Sequence, residues 1–583
     1  MTQTSRKRPE KPLPFNRKQV FVDLIFLAAV LWVAHFWYFR LLGLYEDDYT
    51  HTSPAFGWQL PDLMTHTLIA LRAWDLGRPL GLVLGQILAF IGWQLGGLGA
   101  AHILAYLIHL TNAFLFYFLL RRIGQARVAV IGATIFGLFP ADTTHIFLMH
   151  AFGLHTSLTF LLLAAHAYLR GHKALAHGLS LGCLLIYESP YMVFVAIPLL
   201  CRPWDHRLIR EMRRHVAVWL AILVAVVVVR ALMGESRIGD VGSSAANVVV
   251  ISKQILAALV IGPAVSLSTF WQGPIWIYFH WNRELTDVFW LSLLACVSLL
   301  TRTPDPSAEP GAGGPSLVQV PSFGGPKEPR FRLPHSDTLK LLLTGLIMLS
   351  LAYGLSFTHF PPTDTYGRAT SVHLAAAFGA ALVFTCISSF LLPTTSSHLL
   401  RVGGVLVLSV YLSWLVVYRF SIQQDFKRAW QIERYFWSAV VAKVPDMTEG
   451  TMIIVVDKRP SETRFIFASS WANPLILQQI FRFPPEWKTP PRLWVVQPDW
   501  TTSLATSGGQ ITWIVPLATG PAHTEPVPQG NIVVMVYKDD KLIREQEPLT
   551  VDGLTLQLRV RPPGARPIWQ AGALYPLLIL SNR

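Results

Sequence analysis

Charge is what this sequence has least of. Asp, Glu, Lys and Arg make up 14% of its 583 residues, against about 25% in a soluble globular protein. Together with a hydrophobic share of 52%, the deficit excludes a water-soluble fold for most of the chain and leaves lipid as its main solvent. Cysteine is scarce as well. The four cysteines, Cys183, Cys201, Cys296 and Cys386, sit in or beside apolar segments at no metal-like spacing. That excludes a disulfide framework and a cysteine-held zinc site. There is no internal repeat. The net charge is +14, but the basic residues fall in short loops between apolar runs. They read as topology determinants, not as a surface for nucleic acid.

What is present is a series of apolar runs. Val20 to Leu42 is long enough to cross about 30 Å of hydrocarbon as a helix. It is too long for a signal-peptide core and no small-residue cleavage pattern follows it, so it predicts an uncleaved first span. Arg6, Lys7, Arg8, Lys11, Arg17 and Lys18 precede it and place residues 1–19 in the cytoplasm. Ten further runs, at 101–120, 128–147, 150–169, 174–187, 190–201, 215–233, 286–301, 340–358, 370–392 and 400–420, bring the expected spans to eleven. The glycine-rich stretch Gly81 to Gly97 is read as a helix on the outer surface or re-entering it. With that assignment Arg121, Arg122, Arg127, Arg170, Lys173, the arginines from Arg202 to Arg214, Arg302, Lys327, Arg330 and Arg332 all face the cytoplasm. The halves of 174–201 are short for spans, although the arginine clusters on either side demand an even number of crossings.

The expected fold is mainly α: a polytopic transmembrane helical bundle over 20–420, with a small extracytoplasmic α/β or α+β domain over 421–583. Residues 45–100 form an external loop with surface helices. Residues 234–286 are external too, with a partly inserted helix near Ile251 to Val265. The 302–337 stretch, rich in Pro, Gly and Ser, is expected to be cytoplasmic and disordered. After Phe420 an amphipathic helix carries Phe426, Trp430, Phe436, Trp437 and Val440 on one face. Strands follow at Thr451–Val456, Arg492–Val496 and Gln510–Val515, with a hairpin from Ile532 to Arg544 turning at Asp539-Asp540. A helix near Ala472 to Phe481 separates the first two strands. The tryptophans of this region (Trp471, Trp487, Trp494, Trp500 and Trp513) are expected to be core, not sugar-stacking platforms.

Polar groups gather at the outer ends of the spans. The acidic cluster Glu46-Asp47-Asp48 lies just past the first span, with His51, Asp75 and Arg78 nearby. His102, His109 and Asn112 share a stripe of the second span. Asp142, His145 and His150 join the third and fourth, Glu188 lies between the short pair, and Asp364 and Arg368 precede the tenth. Ionisable groups at membrane depth are costly and are functional candidates by default.

The ordered set "YEDDYTH", "GRPLG", "HILAYLIHLTNAFLFYFLLRRIG", "FGLFPADTTHIFLMHAFG", "AYLR" and "YESP" resembles membrane glycosyltransferases of the GT-C superfamily. It looks closest to bacterial relatives of the membrane half of protein O-mannosyltransferases. The resemblance covers residues 20–201 well and the remainder by general layout. Two motif positions depart from that pattern, Phe139-Pro140 and Tyr187-Glu188, and a small external domain replaces a tetratricopeptide array. The resemblance implies a multi-pass protein of a bacterial cytoplasmic membrane that takes a sugar from a polyprenyl-phosphate donor. The acceptor hydroxyl, on a protein, lipid or polysaccharide, would attack the anomeric carbon with inversion. Asp48 or Asp47 would be the base, and Arg78, His102, His109, His145, Glu188 and Arg368 would bind substrate. Some members of the superfamily use a divalent cation and others none, so that cofactor is left open. Two other classes compete: a transporter or flippase of a lipid-linked glycan, and a non-catalytic, membrane-anchored binding protein. Polar groups clustered at one face, without paired halves, favour the transferase over a transporter.

Overall fold

The computed structural model describes residues 17–580 except 73, 75–76, 124–125, 201–203, 236–244, 303–334, 357–360, 393–397, 458–462, 465–471, 498, 508–509, 516–522, 539–540, 552–553 and 565–568. Most of the basic N-terminus, the Pro/Gly/Ser-rich stretch, Asp75, Trp471 and the Asp539-Asp540 turn lie outside the described residues.

The chain is mainly helical, with a small region of sheet at its C-terminal end. Seven described helices are long and apolar enough to cross a membrane: Arg17–Phe36, Pro79–Ile123, His150–Leu169, His206–Leu232, Val249–Tyr278, Arg283–Thr301 and His398–Lys443. Shorter apolar helices, Val128–Gly137, Lys173–Ile186, Thr338–Leu351 and Ala376–Leu391, accompany them. The length and apolar composition of the long helices suit a membrane protein; among the described residues seven such helices are found, and the expected eleven spans are not confirmed. The 128–147 run stops being helical at Gly137, because Pro140 cannot continue the helix and Asp142 turns back on its own backbone. The 190–201 run is a short helix, Glu188–Phe194, followed by a single-turn segment, Ile197–Leu200. Pro198 removes the donor that a continuous helix needs.

The expected surface helix at 81–97 is the first arm of Pro79–Ile123. That element bends at Gly96-Gly97, where Gly97 has φ 69°, a conformation glycine adopts without steric cost. The helix expected at 251–265 is longer, running Ala245–Tyr278, because the apolar run continues past Val265.

Contacts sort the loops between two ends of the bundle. At one end Tyr38 donates to Glu284 at 2.7 Å, Arg464 lies 4.6 Å over the Trp276 ring, and Gln479 donates to the Tyr49 carbonyl at 2.7 Å. At the other end Arg121 stands 3.6 Å from Asp23, and Lys173 pairs with Glu211 at 2.9 Å.

The His398–Lys443 helix runs without a break past Phe420, where the composition changes. Phe426, Trp430, Trp437 and Val440 are buried on its expected apolar face, and Phe436 stacks on Tyr537. A four-stranded sheet packs there in the order Arg492–Val496, Met452–Val456, Ile532–Lys538, Lys541–Arg544. The first three strands are parallel and the last pair is an antiparallel hairpin. Residues along a strand alternate faces. Ile453, Val455, Val533 and Met535 join the core of the helical bundle, while Met452, Ile454, Val456 and Val534 join Trp494 and Trp513 in a second core. Trp494, Trp500 and Trp513 are thus core, and Trp487 is half-buried.

Gly43 shows how tightly the first loop meets this helix. A methyl group there would fall inside the Trp430 ring. Overpacking of this kind costs about 1–3 kcal/mol, so Gly43→Ala should lower the thermal unfolding temperature of the purified protein. An unchanged midpoint would mean that Trp430 moves freely.

Candidate functional site

The acidic cluster divides its work by backbone geometry. Glu46 sits at φ 41°, the one non-glycine residue with positive φ among those described. That strain is characteristic of functional turns, and it starts a short helix at Asp48 with its two leading carboxylates pointing apart. Asp48 turns inward and is fully buried. Its Oδ2 accepts from the Tyr45 backbone N–H at 3.0 Å and its Oδ1 from that of Met149 at 2.7 Å. Burial pushes the Asp48 carboxyl up to about 7, although these backbone donors oppose the rise. Asp48 therefore clasps the first loop to the 138–149 loop.

An amide at Asp48 would set an NH2 group against one of those backbone donors, leaving it unpaired at a cost of about 1–3 kcal/mol. Asp48→Asn should accordingly be less stable. Because the native carboxyl titrates upward, its favourable neutral form is fully present below the unfolded pKa of about 3.9 and is lost as pH rises through about 7. Melting at pH 5 and pH 8 should therefore show the larger gap between wild type and variant at pH 5. Equal gaps would remove the titration from the account.

Asp47 points the other way, nearly buried at 7% exposure. Its Oδ2 accepts from Arg368 Nε at 2.7 Å and lies 3.5 Å from His150 Nε2. Its Oδ1 is buried with no hydrogen-bond partner among the described residues, and so is His150 Nδ1. Burial would raise the Asp47 carboxyl, but His150 and Arg368 outweigh it and hold the group below its ordinary range. Arg368 is placed by the turn Arg368–His373, which Thr370 ties to the 138–149 loop through the Thr143 N–H at 3.0 Å.

The remaining expected site residues fall into two other groups. Arg78 pairs with Glu188 at 2.8 Å and lies 4.4 Å over the Tyr187 ring. Glu188 also receives Arg230 at 3.0 Å. Arg78 and Glu188 are each other's partners, in a network that joins the start of Pro79–Ile123 to the end of His206–Leu232. His102 bonds the Gly43 carbonyl at 3.1 Å and His109 the Gly137 carbonyl at 3.1 Å. His145 shares a hydrogen bond with His35 at 2.6 Å and receives Arg419 at 3.0 Å. All three histidines are buried and hold loops in place.

Sequence reasoning passed over Arg419, His35 and His155. Arg419 donates to the Asp142 carbonyl at 2.5 Å, and His155 stands 3.3 Å from the Asp142 carboxylate. A cavity of about 20 Å³ lies among His109, Asn112, Asp142, His155 and Arg419, room for roughly one water molecule. The signal was available: Arg419 and His35 are ionisable groups inside apolar runs.

Among the described residues no three His, Cys, Asp or Glu side chains form a group able to hold a metal ion. At the acidic cluster one Asp47 oxygen is committed to Arg368 and both Asp48 oxygens to backbone donors. The donor set does not fit a divalent cation. Comparison finds no matching protein-family model, no matching curated protein and no matching solved structure.

Proposed function

We propose that this chain is a membrane glycosyltransferase of the GT-C type, which moves a sugar from a polyprenyl-phosphate donor to an acceptor hydroxyl with inversion. The reaction lies on the side of the membrane that carries the C-terminal domain, opposite the basic loops. That orientation is supported by the arginines and lysines collected at the far end of the bundle.

The observation that carries the reading is the free Oδ1 of Asp47, buried next to a guanidinium. A buried carboxylate oxygen without a partner among the described residues is rare in a structural role, and it leaves an acceptor position uncommitted for a substrate proton. The acceptor oxygen attacks the anomeric carbon and its proton passes to Asp47 Oδ1. The bond from that carbon to the phosphate oxygen breaks, and the polyprenyl phosphate leaves with the electron pair. Arg368 faces the charge that develops on that phosphate. The low pKa of Asp47 makes it a weak base, which suits a step in which the leaving group departs ahead of proton transfer, as in oxocarbenium-like glycosyl transfer.

The test is donor turnover. Purified protein in lipid is given a panel of labelled polyprenyl-phosphate sugars, with and without crude acceptor extract. Release of polyprenyl phosphate that depends on Asp47 supports the reading and names the sugar. Donor binding without release, across the panel and with acceptor present, would overturn it in favour of a flippase.

A further inference from the structure

An open groove lies at the end of the bundle that holds the Lys173–Glu211 pair, away from Asp47. It has a volume of about 960 Å³ and runs between the Ile197–Leu200 turn and the first turns of the His206–Leu232 helix. That volume is within the range of about 300–1,000 Å³ that takes a small-molecule ligand. The walls are apolar: Leu199, Leu208, Ile209, Met212, Val216 and Ala217. The rim is not. Arg213 and His206 stand on it, with Trp204, whose indole N–H donates to the Leu199 carbonyl at 3.5 Å.

Arg207, Arg210 and Arg214 are exposed on the same turns as Arg213. The two acids nearby are engaged elsewhere. Asp205 caps the helix by accepting from the Arg207 and Leu208 backbone N–H groups. Glu211 receives Lys173 and Tyr168. An apolar trough under a cationic rim, with a tryptophan at its mouth, is the pattern of a headgroup-level lipid site.

We propose that this groove binds an anionic phospholipid, with an acyl chain along Ile209, Met212 and Val216 and the phosphate at Arg213. The inference is independent of the chemistry at Asp47.

Full-length protein stripped of lipid in detergent is titrated with dioleoyl-phosphatidylglycerol or dioleoyl-phosphatidylcholine, and bound lipid is counted by native mass spectrometry. Phosphatidylglycerol should be retained about fivefold more than phosphatidylcholine, and Arg213→Gln should remove most of that preference. Ala217→Trp, which fills the trough and leaves the charges in place, should reduce retention of both lipids. Arg213 is exposed, so its replacement leaves the fold intact, and an unchanged melting temperature checks this. Equal retention of the two lipids by wild type would overturn the proposal. So would phosphatidylglycerol retention unmoved by Arg213→Gln, or lipid retention unmoved by Ala217→Trp.

Discussion

Replacing Asp47 by Asn is expected to cut transfer by roughly 10²–10⁴-fold, the usual contribution of a positioned general base, with little change in protein level. The two halves of that expectation have separate grounds. Activity should fall because an amide nitrogen or carbonyl at the Oδ1 position cannot take the acceptor's proton. Stability should hold because Arg368 is about a third exposed, at 36% of its side chain, and solvent screens what such an ion pair contributes. The pH dependence carries the same signature. His150 and Arg368 more than offset burial and depress the Asp47 pKa. Its contribution to stability is therefore fully present above the unfolded pKa of about 3.9 and is lost as pH falls through the lower folded value. The acid limb of kcat should likewise lie below the ordinary carboxylate range. Initial rates of polyprenyl phosphate release from pH 3.5 to 8 would show it. A variant retaining full rate, or an acid limb near pH 6, would remove Asp47 from the base role.

Arg419→Met should have the largest effect on stability. Arg419 is among the largest fully buried side chains, and its two terminal nitrogens serve the Asp142 carbonyl and His145. Methionine keeps the volume but leaves the Asp142 carbonyl and His145 without their donor, and removes a positive charge near the Asp142 carboxylate that His155 approaches at 3.3 Å. Each buried acceptor left without its donor costs about 1–3 kcal/mol. Thermal unfolding in detergent should show a large drop, and the double variant Arg419→Met/Asp142→Asn should recover part of it. Equal melting of Arg419→Met and wild type would mean that Asp142 is balanced by other groups.

Much of this architecture was legible from residue type and spacing. Arg492–Val496 and Gln510–Val515 are strands at the expected residues, because β-branched and aromatic residues there are bounded by turn formers. The aromatic face after Phe420 was visible in its helical period. Full-length spans were less legible, since hydropathy measures transfer out of water and not where the segment goes. The stretch from Leu138 to Met149 is apolar because it is buried in protein, where irregular backbone is tolerated even at membrane depth. The candidate site divides in the same way. The acidic cluster was plain, but adjacent aspartates on a turn are indistinguishable until Glu46 takes a left-handed conformation and points them apart. Arg368 meets Asp47 across 321 residues, and Arg419 meets His145 across 274. Separations of that order leave no local pattern to read.

The unbroken His398–Lys443 helix works as a strut. At 1.5 Å per residue its 46 residues span about 69 Å. Within that length it presents Arg419 to His145, the Phe426 carbonyl to Tyr45 and the Trp430 ring to Gly43. Its upper turns support the sheet. A load applied to the C-terminal domain therefore reaches the Tyr45–Asp48 turn through a rigid member, with no hinge between. One residue inserted between Arg419 and Phe426 would rotate everything above it by about 100°, taking Tyr45 and Gly43 out of register along with the sheet residues Ile453, Val455, Val533 and Met535 that share the bundle's core.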